Sequence, residues 1–105
     1  MVAVMKVLKL INYGDSLGTR SLGARIRTDL KQLLDSGEKV VLDFSGVDIV
    51  TNSFADECIA KLLLEMSLDE LKSKTTFIGF DAVTEKCILT AIKRRLMQQA
   101  AISRP

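Results

Sequence analysis

Apolar and polar residues along this chain follow two periods that take turns. Val7, Leu8 and Leu10 interleave with lysines within Val2–Ile11, which predicts a strand with one wetter face. Asn12 to Gly18 reads as a turn, and Leu22, Ile26, Leu30, Leu33 and Leu34 then recur at helical spacing, predicting a helix from Thr19 to about Asp35 that Ser36-Gly37 ends. The run Val40, Val41, Leu42 and Phe44, interrupted by Asp43, predicts a strand buried on both faces. After the Ser45-Gly46 turn comes a second short apolar patch at Val47, Ile49 and Val50. Thr51-Asn52-Ser53 are three helix-capping residue types in a row, so Ser53 is expected to cap a helix to Met66, with Asp56 in the reciprocal position. Ser67-Leu68-Asp69-Glu70 is a further capping box and predicts one more helical turn around Leu71. Thr75–Phe80 reads as a strand, and Ala82–Gln99 as a helix with Val83, Cys87, Ile88, Ala91, Ile92 and Leu96 on its inner arc. Ala100–Pro105 is expected to fray.

The order β-α-β-α-β-α predicts an α/β domain with a mainly parallel sheet of three to four strands, joined by right-handed crossovers, and helices packed on it. At 105 residues the chain is expected to be one domain, 1–105, with an ordered core of about 2–99. The second helix carries a surplus of apolar residues, which leaves Glu57, Lys61 and Glu65, at four-residue spacing, as one narrow stripe toward water. That surplus is expected to pack within the molecule, with a homodimer as the further possibility. On the first helix Arg20, Arg25, Arg27 and Lys31, with Asp29, read as an ordinary solvated face. Arg95 falls inside the apolar arc of the last helix, where snorkelling or covering helix-end carbonyls is expected.

Composition narrows the chemistry. A net charge of +2, with four Phe, one Tyr and no Trp, lacks the clustered basic and aromatic pattern of nucleic-acid binding. No apolar run reaches the roughly 20 residues of a membrane span, and the expected location is cytoplasmic. Cys58 and Cys87 lack metal-ligand spacing and read as buried reduced thiols. The chain contains no histidine, which removes the usual general base and the Ser-His and Cys-His nucleophile pairs. Asp43, Asp48, Asp56 and Glu57 gather near one strand end, an arrangement compatible with Mg²⁺. A phosphoaspartate site at Asp43 would also need an acidic pair where Ile11-Asn12-Tyr13 stands. We therefore expect no enzyme, no metal and no cofactor. The loop Gly14, Asp15, Ser16, Gly18 with Arg20 is a candidate anion or ligand loop, although it is neither a Walker loop nor a dinucleotide fingerprint.

The run LDFSGVDIVTNSFADE, Leu42 to Glu57, resembles the signature of STAS domains, the anti-sigma factor antagonist fold, and more closely the STAS-like family of unknown function. Gly14 to Arg20 and the helix after it resemble that family's first strand-to-helix segment, and the order of elements agrees from about Val4 to Gln99. The resemblance implies a non-enzymatic, regulatory protein-interaction module acting on a partner ATPase or transcriptional regulator. In anti-sigma factor antagonists a Ser or Thr at this helix start is phosphorylated by a kinase of the histidine-kinase-like ATPase fold, which breaks the complex. The family pattern Asp-Ser-Ser-Gly stands here as Thr51-Asn52-Ser53-Phe54, so Asn52 occupies the customary acceptor position and only Ser53 matches a family Ser. Ser53 and Thr51 are thus the candidate phosphoacceptors, and Thr51, Asn52, Ser53, Phe54, Asp56 and Glu57 the candidate interaction surface. A phosphate on Ser53 is expected to meet Asp56 and Glu57 without local gain. The alternative is a small-ligand or nucleotide-binding domain built from the Gly14–Gly18 loop and the Thr51–Ser53 helix start.

Overall fold

A computed structural model describes residues 5–103. The elements are β1 (Met5–Lys9), a 3-10 turn (Leu10–Tyr13), β2 (Ser16–Leu17), α1 (Arg20–Asp35), β3 (Lys39–Asp43), β4 (Ile49–Val50) and α2 (Asn52–Cys58). A second 3-10 segment (Ala60–Leu64), α3 (Leu68–Lys74), β5 (Thr75–Ile78) and α4 (Ala82–Ser103) complete the fold. The main sheet is parallel, three-stranded and ordered β1-β3-β5, while β2 and β4 form a second, two-stranded parallel sheet. The mixed α/β architecture and parallel sheet agree with the pattern of the sequence. The fourth strand allowed for at the chain's start has no counterpart among the described residues, and Val2–Val4 lie outside them.

Residues paired in parallel register share a face of the sheet, so Leu8, Leu42 and Phe77 lie on one face and Val7, Val41 and Thr76 on the other. Val40 and Leu42 join the core with Ile26 and Leu30 of α1, Phe54 and Cys58 of α2 and Ile88 of α4. Helices therefore cover that face, while Met5 and Val7 of β1 and Ile78 of β5 stay exposed on the opposite one. Ser67 caps α3 by accepting the Glu70 N–H at 3.1 Å, as its capping box predicts.

Four boundaries differ from the periodicity. The expected turn after β1 contains β2, because Asn12–Gly18 is long enough for two residues to pair with Ile49 and Val50. The helix expected from Ser53 to Met66 leaves α geometry at Ile59 and tightens into the 3-10 segment. That tightening puts Leu62 and Leu63 in the core and leaves Leu64 62% exposed, so packing overrides helix propensity here. Strand β5 ends at Ile78 because Gly79 takes φ +72° beside the β3 turn, where a Cβ would fall on Ser45 Oγ and 2.7 Å from its nitrogen. Finally, α4 continues past Gln99 to Ser103 through alanines that favour helix.

Candidate functional site

The start of α2 is held by Thr51. Its hydroxyl accepts the Phe54 N–H at 3.1 Å and donates to the Gly18 carbonyl at 3.0 Å, tying the helix to the β2 loop. This corrects the expected Ser53 cap: Ser53 lies inside the first turn and is exposed, as is Asn52. The cap falls at Thr51 because Ile49 and Val50 are held in β4, and Thr51 is the first residue after it with extended backbone.

Asp56, expected to reach back to that cap, points to α4 instead. Arg95 grips its carboxylate at two points, Nε at 2.6 Å and Nη2 at 2.7 Å, and Arg20 Nη1 adds a third contact at 2.8 Å. Arg95 thus neither snorkels nor covers a helix end. Glu57 is buried rather than facing water, with Arg27 Nη1 at 2.7 Å, Lys61 Nζ at 2.9 Å and Arg20 Nη1 at 3.3 Å from its carboxylate. Arg27 Nη1 also donates to the Glu57 carbonyl. Hydrogen bonds from Arg95 hold the Asp56 carboxyl down at about 2 against its partial burial, with Arg20 helping. Burial alone would raise Glu57, but Arg27 and Lys61 outweigh it and bring its carboxyl to about 2 as well.

The basic face of α1 is consequently not free in solvent. Arg20 and Arg27 meet the α2 carboxylates, Lys31 lies 2.7 Å from Glu65, Arg25 stacks over Tyr13, and Asp29 accepts the Tyr13 hydroxyl at 2.6 Å. Helices α1 and α2 come this close at Gly23, where a Cβ would stand 3.0 Å from Glu57 Cβ and 3.2 Å from the Phe54 carbonyl.

Where α1, α2 and α4 meet, Arg20, Asn52, Ser53, Asp56, Thr90 and Arg94 line a polar cleft of about 180 Å³. Of the candidate surface, Asn52, Ser53 and the edge of Asp56 reach this cleft. Phe54 does not, because its ring is fully buried in the core, and Glu57 is buried under the ion pairs. Of the candidate ligand loop only Arg20 lines it. Asp15, Ser16 and Gly18 are stitched to the neighbouring segment: Ser16 pairs with Ile49, the Asp15 carbonyl accepts from Asp48 and Ile49, the Leu17 carbonyl accepts from the Thr51 N–H, and the Gly18 carbonyl takes the Thr51 hydroxyl, while the Gly14 N–H donates to Ile11 within its own turn. Gly18 and Thr51 are adjacent, as the ligand reading required, but they bond each other rather than enclosing a cradle.

The acidic residues do not converge. Asp43 turns back to accept the Ser45 N–H at 2.9 Å, Asp48 is exposed, and among the described residues no group of acidic residues and cysteines is placed to share a metal ion. Cys58 is fully buried, and burial pushes its thiol up to about 12, whereas Cys87 is half-buried. No helix among the described residues is long and apolar enough to cross a membrane.

Arg27, Thr90, Arg94 and Arg95 complete the site without having been singled out for it. A charged residue within an apolar helical arc, as at Arg95, was the one usable signal.

Comparison with known proteins returns no match among curated proteins and none among solved structures. The profile of the STAS-like domain of unknown function (DUF4325) matches residues 23–84, more than half of the chain, from α1 through β3, the Thr51–Ser53 helix start and β5 into α4. By that match, the chain belongs to the family of STAS-like domains of unknown function.

Proposed function

We propose that this protein is a non-enzymatic interaction module, and that its partner docks over the cleft formed by Arg20, Asn52, Ser53 and Arg94. The observation that carries this reading is the division of labour at the start of α2: Asn52 and Ser53 face outward, while every carboxylate beside them is neutralised by arginine or lysine. A general acid or base works best with a pKa near the working pH, and Asp56 and Glu57, held at about 2, are far from it.

The partner class that fits is a protein, and a histidine-kinase-like ATPase is the first to test, because its switch would act on Ser53. Thr51 is a poor acceptor, since its hydroxyl both donates and accepts within the fold. A phosphate on Ser53 would share the cleft with Arg20 and Arg94 while the negative charges of Asp56 and Glu57 are already matched. The fold would keep its stability, and a partner surface shaped for a neutral hydroxyl would face a doubly charged group. A small ligand fits this cleft less well, because about 180 Å³ is below the roughly 300 Å³ at which small-molecule pockets begin.

The test is capture from the source cell with the parent protein and with Ser53→Asp and Asn52→Arg, alongside intact mass spectrometry and a thermal-shift panel of nucleotides. A protein retained by the parent and lost by both variants, with circular dichroism unchanged, is the expected result. Equal capture by all three, or a nucleotide that raises the melting temperature of the parent alone, would overturn the reading.

A further inference from the structure

Across α4 from the cleft, β5 is an edge strand, paired with β3 on one side only. The Ile78 carbonyl accepts the Phe44 N–H at 2.9 Å, so residue 78, and by strand alternation Thr76, turn their backbone groups toward β3. Thr75 and Phe77 turn theirs outward. The Thr75 N–H is used within α3, by the Leu71 carbonyl, which leaves the Thr75 carbonyl and both backbone groups of Phe77 along the open edge.

Directly outside that edge runs a groove of about 600 Å³ between α3 and α4. Its apolar walls include Leu71 from α3 and Ile88, Leu89, Ile92 and Leu96 from α4. Three consecutive residues, Thr75, Thr76 and Phe77, line it together. Successive side chains of a strand point to opposite faces, so only the edge of the strand can present all three. An extended segment laid there would continue the sheet and drop alternate side chains onto α4.

Charge selects the occupant. Lys72 and Lys93 are exposed on the two flanks of the groove, against one acidic residue, Glu85. A second copy paired through its own β5 would bring like charges together, whereas a segment with acidic residues at its outward positions would be attracted. We infer that this groove binds an extended segment of a partner protein, apolar at alternate positions and acidic between them, which adds as a strand to the β5 edge. This surface is separate from the α2 cleft and does not depend on the reading given for it.

The test uses the whole protein and fluorescent peptides of about nine residues, long enough to overrun a strand at roughly 3.3 Å per residue. One peptide alternates isoleucine with glutamate, a second alternates isoleucine with lysine, and a third keeps the first composition in helical order. Saturable binding of the first, about tenfold or more tighter than of the other two, with new hydrogen-exchange protection of the Phe77 amide, is expected. Lys72→Glu with Lys93→Glu, and separately Leu89→Lys, should each weaken that binding about tenfold while the melting temperature holds. Absence of binding, equal binding of the lysine peptide, or binding that leaves the Phe77 amide unprotected would overturn the inference. So would a concentration-dependent dimer abolished by Leu89→Lys, which would give the groove to a second copy.

Discussion

Arg95 of α4 and Asp56 of α2, 39 positions apart, meet in a two-point ion pair at 2.6 and 2.7 Å. The last helix of the chain is thereby fastened to the residue beside the exposed Ser53, and with it the α4 wall of the cleft is set. Both side chains are largely shielded from water, where losing one partner leaves a charge without compensation. Arg95→Met should therefore cost about 2 to 3 kcal/mol in urea unfolding, with Arg20 keeping part of the Asp56 charge matched. Arg95→Lys should recover only a fraction, because an ammonium cannot make the forked contact. Parent-like unfolding of the methionine variant would mean that the pair contributes nothing net.

Acid should weaken the fold through the same residues. The Asp56 and Glu57 carboxyls have folded values of about 2, below their ordinary ones, so their contribution is complete above about pH 5 and is lost as the pH falls toward 2. After screening of the partly exposed Asp56, the two together are worth about 2 to 4 kcal/mol. Denaturant midpoints measured from pH 7 down to pH 2 should fall over that window, and Glu57→Gln, less stable near neutral pH, should show a shallower slope that converges on the parent toward pH 2. A profile as steep in the glutamine variant as in the parent would assign the effect to other carboxylates.

Gly23 sets two opposing terms against each other. Alanine would gain up to about 1 kcal/mol of helix propensity, but its Cβ would press on the Glu57 Cβ and on backbone atoms of Phe54 and Cys58 that cannot swing aside. Overpacking of this kind costs about 1 to 3 kcal/mol, so Gly23→Ala should lower the melting temperature. A rise would show that α1 can shift away from α2 without loss.

The cap is separable from the exposed face of the same helix turn. Thr51→Ala removes two hydrogen bonds and should destabilise by about 1 to 2 kcal/mol. Ser53→Ala should stay within about 0.5 kcal/mol, as at an ordinary surface position, and Ser53→Asp should fold like the parent. Thermal denaturation of the three variants side by side checks the assignment, and the reverse order would return the cap to Ser53.

Hydrophobic pattern was enough to lay out α1, β3 and α4, while the Ser67 capping box and the β-rich run at Thr75 added α3 and β5, and together they ordered a parallel α/β domain, because each of these signals is local to its element. The Leu42–Glu57 run likewise carried the family. Three features were decided by packing. The surplus of α2 was absorbed by a 3-10 segment that buries Leu62 and Leu63, so that of the residues suggesting self-association Leu64 is the one left strongly exposed. The narrow polar stripe of α2 and the basic face of α1, each ordinary by itself, became one ion-pair network with Glu57 buried at its centre only when Gly23 let the helices touch. Phe54 and Ser53 are neighbours at a helix start, yet one is core and the other surface, since a helical turn rotates adjacent side chains by about 100° and only the docking of α2 on the sheet says which side is in. Local pattern determines where helices and strands run. Which charges pair across 30 or 39 residues, and which face of a helix start remains for a partner, depends on distances that exist only after the chain has closed on itself.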